Sequence, residues 1–411
     1  MVSNALPQNN KITKRQHQTN GWSEVVTKHR VVIHGWYGIP NVGDEAILSS
    51  IIDDLRKLTP QLHITVFSYD PSHTLSHYDV DSALCASPKL TREQKAQVRK
   101  ELTKADLFIL GGGGMFHTHS GRRPWLNKIV LAKLLGCKTM LYVVGIDPSS
   151  MAKARWRVIW RTFSYFADLI TVRDQRSRDL LLNAGVHKPI SVIPDPAFRL
   201  PPSSTATAEK LLQRTLLDNL QKPLVSFGVG MPPYRFESID RFKYIEIMAQ
   251  AGDYIVECLN ARVLLIPYDM QPGRDRELCL EVLGMMRFRE YGYVLLEECT
   301  PNDILAINAY MDLSICTRFH SLIFAMMSNT PFVSIIYQQK VDELLKETNL
   351  NNFGIEFYDL NTENLIDKID YIWTNRHSLR RKLSNVASAL FEEASEAPGL
   401  AMKLLDGNAL K

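Results

Sequence analysis

Arg318, Phe319 and His320 set a guanidinium and an imidazole on either side of an aromatic ring. They follow the strand-like run Leu313–Cys316 and precede an apolar stretch, LIFAMM. Residues two apart share a face of extended backbone, so both polar side chains can point into one cleft. Arginine keeps its charge and offers a planar fork that suits carboxylate or phosphate. Histidine gives or takes a proton near neutral pH. Lys340 follows the next strand-like run, Phe332–Ile336, and Arg173 follows Leu169–Val172. Three cations and one proton carrier at the carboxyl ends of strands describe a pocket for a small anion. Plainer readings stay open: a helix-capping His320, salt bridges for Arg318 and for Arg173 with Asp174, and a solvated Lys340.

A second set of residues lies earlier in the chain. The run from His34 through Tyr37 to Asn41 and Asp44 follows a buried-strand pattern, Arg30–His34. Gly111-Gly112-Gly113-Gly114 follows another, Asp106–Leu110. Four glycines allow backbone N–H groups close to a ligand, as phosphate sites do, or a tight turn that needs positive φ. The run is neither G-x-G-x-x-G nor a Walker motif with its lysine, so a dinucleotide or ATP site is weakly supported. Ile266-Pro267-Tyr268-Asp269 and Asp275 stand at a further strand end, as ligand contacts or as loop and cap residues. His117 and His119 read as cleft-lining or solvated rather than as metal ligands. The six cysteines are scattered, with no C-x-x-C and no H-E-x-x-H, which suggests reduced thiols and gives no zinc signature.

The elements that must position these groups alternate. Strand-like runs at 30–34, 63–68, 106–110, 139–144, 169–172 and 190–193 are separated by helical patterns. The clearest helix is Asp44–Leu58, with Asn41 or Asp44 as its cap. RLPPSSTATAE at 199–209 has a linker's composition. A second series follows, with strands expected at 224–229, 263–267, 293–296, 313–316 and 332–336, and a helix start at Thr300. The pattern is α/β: two Rossmann-like domains facing across a cleft, with C-terminal helices. The expected division is a flexible basic tail over 1–30, a first domain over 31–198 and a linker over 199–222. A second domain follows over 223–375 and a helical region over 376–411.

Composition narrows the partners. The chain has 411 residues, 45% hydrophobic and 22% charged, which is ordinary for a globular protein. Its formal charge is +4, and residues 1–30 carry all of it, five basic side chains against Glu24. The neutral remainder lacks the basic face that nucleic acid requires. No run is long and apolar enough to suggest a transmembrane segment. The tail lacks a secretion signal's apolar region; it is read as a disordered extension, with contact to an anionic membrane surface as the sharper alternative. A cytoplasmic protein is expected.

Taken in order, GWYGIPNVGDEAIL, LGGGGMF, TVRDQRS, IPDPAF, LIPYDMQPGRDRE and CTRFHSLIFAM resemble the polysaccharide pyruvyl transferases, in particular the CsaB-like enzymes of bacterial cell-wall polysaccharide modification. The likeness spans roughly residues 31–350. Tyr268 stands where the family often has a histidine. The resemblance implies a GT-B-like fold and transfer of the enolpyruvyl unit of phosphoenolpyruvate onto a sugar as a pyruvate ketal, with release of phosphate. It implies that Arg173, Arg318 and Lys340 bind the donor in the second domain and that His320, with Arg318, is catalytic. No cofactor or metal is implied, phosphoenolpyruvate being a co-substrate. The acceptor would be a saccharide, in CsaB-like members a lipid-linked N-acetylmannosamine. The first domain would hold it with His34, Tyr37, Asn41, Asp44, Gly112, Gly113 and Gly114. Such an enzyme would work in the cytoplasm or at the inner face of the membrane. Two rivals remain: a GT-B glycosyltransferase using a nucleotide-sugar donor, and a non-catalytic ligand-binding relative. The first lacks an obvious donor-binding carboxylate pair in the second domain.

Overall fold

The structure is a computed structural model and describes residues 29–80, 82–85, 90–116, 124–148, 154–216, 222–231 and 239–407. Residues 1–28 of the basic tail, His117 and His119 lie outside the described residues, and Arg30 belongs to the first strand. The first lobe is a seven-stranded parallel sheet in the order β3-β2-β1-β4-β5-β6-β7. Its strands are β1 (Arg30–His34), β2 (His63–Ser68), β3 (Ser82–Cys85), β4 (Leu107–Phe116), β5 (Lys138–Ile146), β6 (Leu169–Val172) and β7 (Ile190–Val192). The second lobe is a six-stranded parallel sheet in the order β10-β9-β8-β11-β12-β13. It comprises β8 (Leu224–Gly228), β9 (Arg262–Leu265), β10 (Gly292–Val294), β11 (Leu313–Cys316), β12 (Phe332–Ile336) and β13 (Gly354–Glu356). These are two Rossmann-like domains.

Central strands such as β8, β11 and β12 are buried along their whole length, which is why they read as mainly apolar runs, each broken by one serine. Three helices follow strands directly into the cleft. They are α1 (Val42–Leu58), α6 (Gln175–Asn183) and α11 (Phe319–Met327). Asn41 caps α1, its side chain accepting from the backbone N–H of Gly43 and Asp44. Asp174 caps α6 through Ser177 N–H. The other helices of the first lobe are α2 (Pro71–His77), α3 (Arg92–Lys104), α4 (Pro124–Leu134) and α5 (Ala154–Phe166).

The sequence-based division shifts in two places. The expected linker contains a helix, α7 (Thr205–Leu216), held against the second lobe because Ser203 Oγ donates to Asp303 and Asn302 donates to the Pro201 carbonyl. The second lobe adds α8 (Arg241–Glu257), α9 (Asp275–Met285), α10 (Pro301–Asn308) and α12 (Gln339–Glu347). A 33-residue helix, α13 (Thr362–Ala394), runs through the expected boundary at 375/376, so no domain edge falls there. The glycine run lies inside β4, pairing with β5. Two short edge strands, β3 and β13, escaped the periodicity reading.

The final helix, α14 (Glu396–Asp406), returns to the first lobe, where Lys138 Nζ donates to the Leu405 carbonyl at 2.9 Å. Arg199 joins the crossover to both lobes. Its guanidinium pairs with buried Asp54 of α1 at 2.9 Å and lies over the Phe391 ring of α13 at 4.0 Å. Among the described residues no helix is long and apolar enough to cross a membrane.

Candidate functional site

In both sheets the strand order reverses beside a central strand, between β1 and β4 and between β8 and β11. Ligands of such sheets bind outside the carboxyl ends of the strands at these reversals. The two reversals face each other. Val42 N–H donates to the Tyr268 carbonyl at 2.8 Å, and Met270 N–H to the Pro40 carbonyl at 2.8 Å. Asn41 and Asp269 complete a small antiparallel bridge between the lobes.

His320, in the first turn of α11, projects across this junction. Its Nδ1 lies against Gly43 at the start of α1, so close that a Cβ on Gly43 would occupy the ring's own space. Its Nε2 faces Asp195 Oδ1 at 3.9 Å. Two further glycines admit cations in the same way: Gly145 at the end of β5 lies under the Arg173 guanidinium, and Gly230 after β8 under that of Arg318. Close backbone approach, rather than positive φ, requires glycine at all three positions.

Arg173 and Lys340 meet over Phe319. The Arg173 Cζ is 5.0 Å and the Lys340 Nζ 4.9 Å from its ring centre. Arg173 Nη1 also faces Asp195 Oδ2 at 3.7 Å, and its Nε bonds Asp174 at 3.3 Å. Nη1 of Arg173, Oδ2 of Asp195 and Nε2 of His320 are all sealed from solvent with no hydrogen-bond partner in the structure. Orphaned buried polar atoms are rare, and three at one point mark a place where a ligand or water completes the bonding. A cavity of about 550 Å³ opens from Arg173, Asp195, Phe319 and Lys340 between α12 and α13.

Burial sets the proton affinities. It drives the Asp44 carboxyl up to about 7, although Lys340 pulls it back down. It drives the Lys340 ammonium down to about 7, helped by Arg173 and opposed by Asp44 and Asp195. Burial also lowers His320 below its usual value, outweighing the Asp195 carboxylate that raises it. Asp195 itself stays below the usual carboxylate range, because His320 and Arg173 outweigh the cost of its burial. The site therefore holds two groups that change charge near neutrality and a histidine held neutral.

Arg318 is differently placed from the other cations. Its guanidinium grips Asp275 with two nitrogens, and Nη1 donates to Tyr337 Oη at 3.3 Å. Asp275 is 1% exposed and also accepts from the backbone N–H of Asp269. The salt-bridge reading of Arg318 is the observed one, with a buried partner. Much of its charge is neutralised before any ligand arrives.

The first-lobe candidates divide. Asp44 reaches the site, with Gly113 beside its carboxylate. Asn41 is the helix cap and inter-lobe bridge, and Gly114 is half-buried in β4. His34, Tyr37 and Gly112 require correction as ligand contacts. His34 is fully buried and packs against Phe67 and Phe108. The Tyr37 hydroxyl donates to the Gly111 carbonyl in the core. Gly112, at φ +82°, leaves room for Ile47 and Tyr37. Around Gly111 and Gly112 the glycine run is close packing between β5 and α1, which an alternating strand pattern interrupted by glycine does not distinguish from an anion loop. The Tyr268 side chain is also buried, its hydroxyl accepting from Asn308.

Sequence reasoning missed Asp195 and Asp275 as partners of the site histidine and arginine. The signal for Asp195 was its place at the carboxyl end of β7 within IPDPAF, one residue before a proline that starts a short 3₁₀ turn.

Residues 41–339 match the model of the family described as polysaccharide pyruvyl transferase. The amylovoran biosynthesis protein AmsJ of Erwinia amylovora is 22% identical over 402 residues, covering 86% of this chain and 94% of that one. Among solved structures, S. aureus MnaA in a co-structure with UDP superposes with a TM-score of 0.63 at 13% identity, covering 93% of this chain and 98% of that one. A UDP-GlcNAc 2-epimerase from Neisseria meningitidis bound to UDP-GlcNAc gives a TM-score of 0.60 at 10% identity, over 92% and 99% of the two chains. These structures share the two-lobed fold; the family is set by the match over most of the chain. The chain belongs to the polysaccharide pyruvyl transferase family.

Proposed function

We propose that the protein transfers the enolpyruvyl unit of phosphoenolpyruvate to two hydroxyls of one sugar in a cell-wall or exopolysaccharide precursor. The observation that carries this is the convergence at one point of Arg173 Nη1 and His320 Nε2, both buried without a hydrogen-bond partner among the described residues, with Lys340 beside them over the Phe319 ring. A small trianion brings its own acceptors to such donors. The family match and the exopolysaccharide relative support the same class of reaction.

In this reading Arg173 and Lys340 bind phosphate and carboxylate of the donor, and Arg318 holds the pocket wall through Asp275. His320, neutral at pH 7, takes the proton of the first sugar hydroxyl as it adds to C2. The Asp44–Lys340 pair, titrating near neutrality, supplies the proton that C3 receives. The C2–O bond to phosphate then breaks as the second hydroxyl adds, and phosphate leaves carrying that hydroxyl's proton. Holding donor and diol together removes an entropic barrier that exceeds any single proton transfer. The acceptor in CsaB-like relatives, a lipid-linked N-acetylmannosamine, is the first to try.

The test is incubation of the purified protein with phosphoenolpyruvate and a panel of nitrophenyl or lipid-linked sugars. The expected result is stoichiometric phosphate release with a pyruvyl mass gain on the sugar. Nucleotide release from a UDP-sugar, with phosphoenolpyruvate inert, overturns the reading.

A further inference from the structure

Asp195 is 3% exposed, at the point where the chain leaves β7 for the second lobe. It is held rigidly. Its Oδ1 accepts from Ala197 N–H at 3.0 Å, and its carbonyl accepts from Phe198 N–H at 3.0 Å. The carboxylate therefore cannot swing away from the two groups it faces, His320 Nε2 at 3.9 Å and Arg173 Nη1 at 3.7 Å.

We propose that Asp195 is the positioning residue for His320, fixing the imidazole with its proton on Nε2. Two observations on opposite sides of the ring agree. On one side, a carboxylate faces Nε2, where an N–H is attracted and a lone pair repelled. On the other, Nδ1 lies against Gly43 in the first turn of the 17-residue helix α1. The positive end of a helix favours a lone pair there over a second N–H. The carboxylate comes from the first lobe and the imidazole from the second, so the orientation exists only when the lobes are together.

The charged groups acting on His320 are Asp195 at the crossover, Arg173 after β6 and Lys340 on α12, and on the α1 side the ring meets Gly43. Burial, Lys340 and Arg173 lower its proton affinity, and Asp195 alone raises it. Removing the charge of Asp195 therefore moves the titration of His320 to lower pH.

The activity arm of the test rests on the pyruvyl-transfer reading; the spectroscopic arm does not. Full-length protein carrying ¹⁵N-histidine is compared with Asp195→Asn and Asp195→Ala, the His320 signals being identified by their loss in His320→Gln. The wild type is expected to show the Nε2–H tautomer. Asp195→Asn keeps an oxygen for Ala197 N–H, so it should remain folded while His320 titrates at lower pH. Asp195→Ala should give mixed tautomers. Phosphate release by Asp195→Asn should fall about 10²-fold, the lower bound for a lost acid–base function, with the acidic limb of its pH profile moved down. An Nδ1–H tautomer in the wild type, or an unmoved His320 titration in Asp195→Asn, overturns the proposal. A wild type that shows Nε2–H but no turnover of phosphoenolpyruvate overturns the functional reading and supports the positioning by Asp195.

Discussion

Gly43, Gly145 and Gly230 are the residues whose smallness makes the site possible, since each leaves the volume that His320, Arg173 or Arg318 occupies. Gly43 is the sharpest test. It sits in the first turn of α1 and carries no positive φ, so alanine there is compatible with the helix and improves its intrinsic propensity. A methyl group nevertheless displaces the imidazole. Gly43→Ala is expected to lose ketal formation about as fully as His320→Ala, at least about 10²-fold, with an unchanged melting temperature. Turnover retained in Gly43→Ala, assayed beside His320→Ala, would show that the observed pose of His320 is not the working one. Arg173, Arg318, His320 and Lys340 were legible from residue type and position after strands. These three glycines were not, because what they abut comes from elements distant in the chain. The conspicuous run at Gly111–Gly114 drew the reading instead, though there Gly111 and Gly112 make room for Tyr142, Ile47 and Tyr37.

Helix α9 brings Asp275 beneath Arg318, and this pairing changes what a substitution in the neighbouring element reports. Asp275 is buried, and its partner is 18% exposed along the side chain. Deleting one member of a buried pair leaves the other uncompensated, at a cost of about 3–5 kcal/mol. Arg318→Ala is thus expected to lower stability by that order in denaturant titration, with its loss of activity partly a loss of fold. Arg318→Ala combined with Asp275→Asn should recover much of the stability and none of the activity. A single Arg318→Ala variant with unchanged stability would mean the pair contributes nothing to the fold. Periodicity located most of these elements because both sheets are parallel and their central strands fully buried. It failed at β3 and β13, which are short and lie at the sheet edges.

Across the whole molecule, the two lobes press a carboxyl group and an ammonium group into one half-buried junction, and this couples stability to pH. Asp44 has a folded-state value of about 7 against an ordinary 3.8. Between those values the folded protein holds a proton that the unfolded chain has released, so this contribution falls as pH rises from about 4 to 7 and is then constant. Asp44→Asn removes the penalty. Its melting temperature should match the wild type near pH 4, exceed it increasingly toward pH 7, and stay above it by a constant margin at pH 8. A constant difference at every pH would place Asp44 in water rather than in the junction. Lys340 runs the opposite way: its value is lowered from 10.5 to about 7, so its contribution falls as pH drops from about 10.5 to 7 and is constant below. The two-lobed architecture was legible from the alternation of strands and helices. The return of α14 was not, since a terminal amphipathic helix carries no mark of which lobe it joins.

That return has a consequence for biogenesis. Helix α14 packs against α1 and β5, so the first lobe is completed by residues translated after the second lobe. While the second lobe is being made, the nascent first lobe carries an uncovered apolar strip where Ala397, Ala401 and Leu405 will dock. Folding of the early half is thereby chained to the arrival of the late one, and a ribosome stalled before residue 396 holds a protein whose opening half is still unfinished.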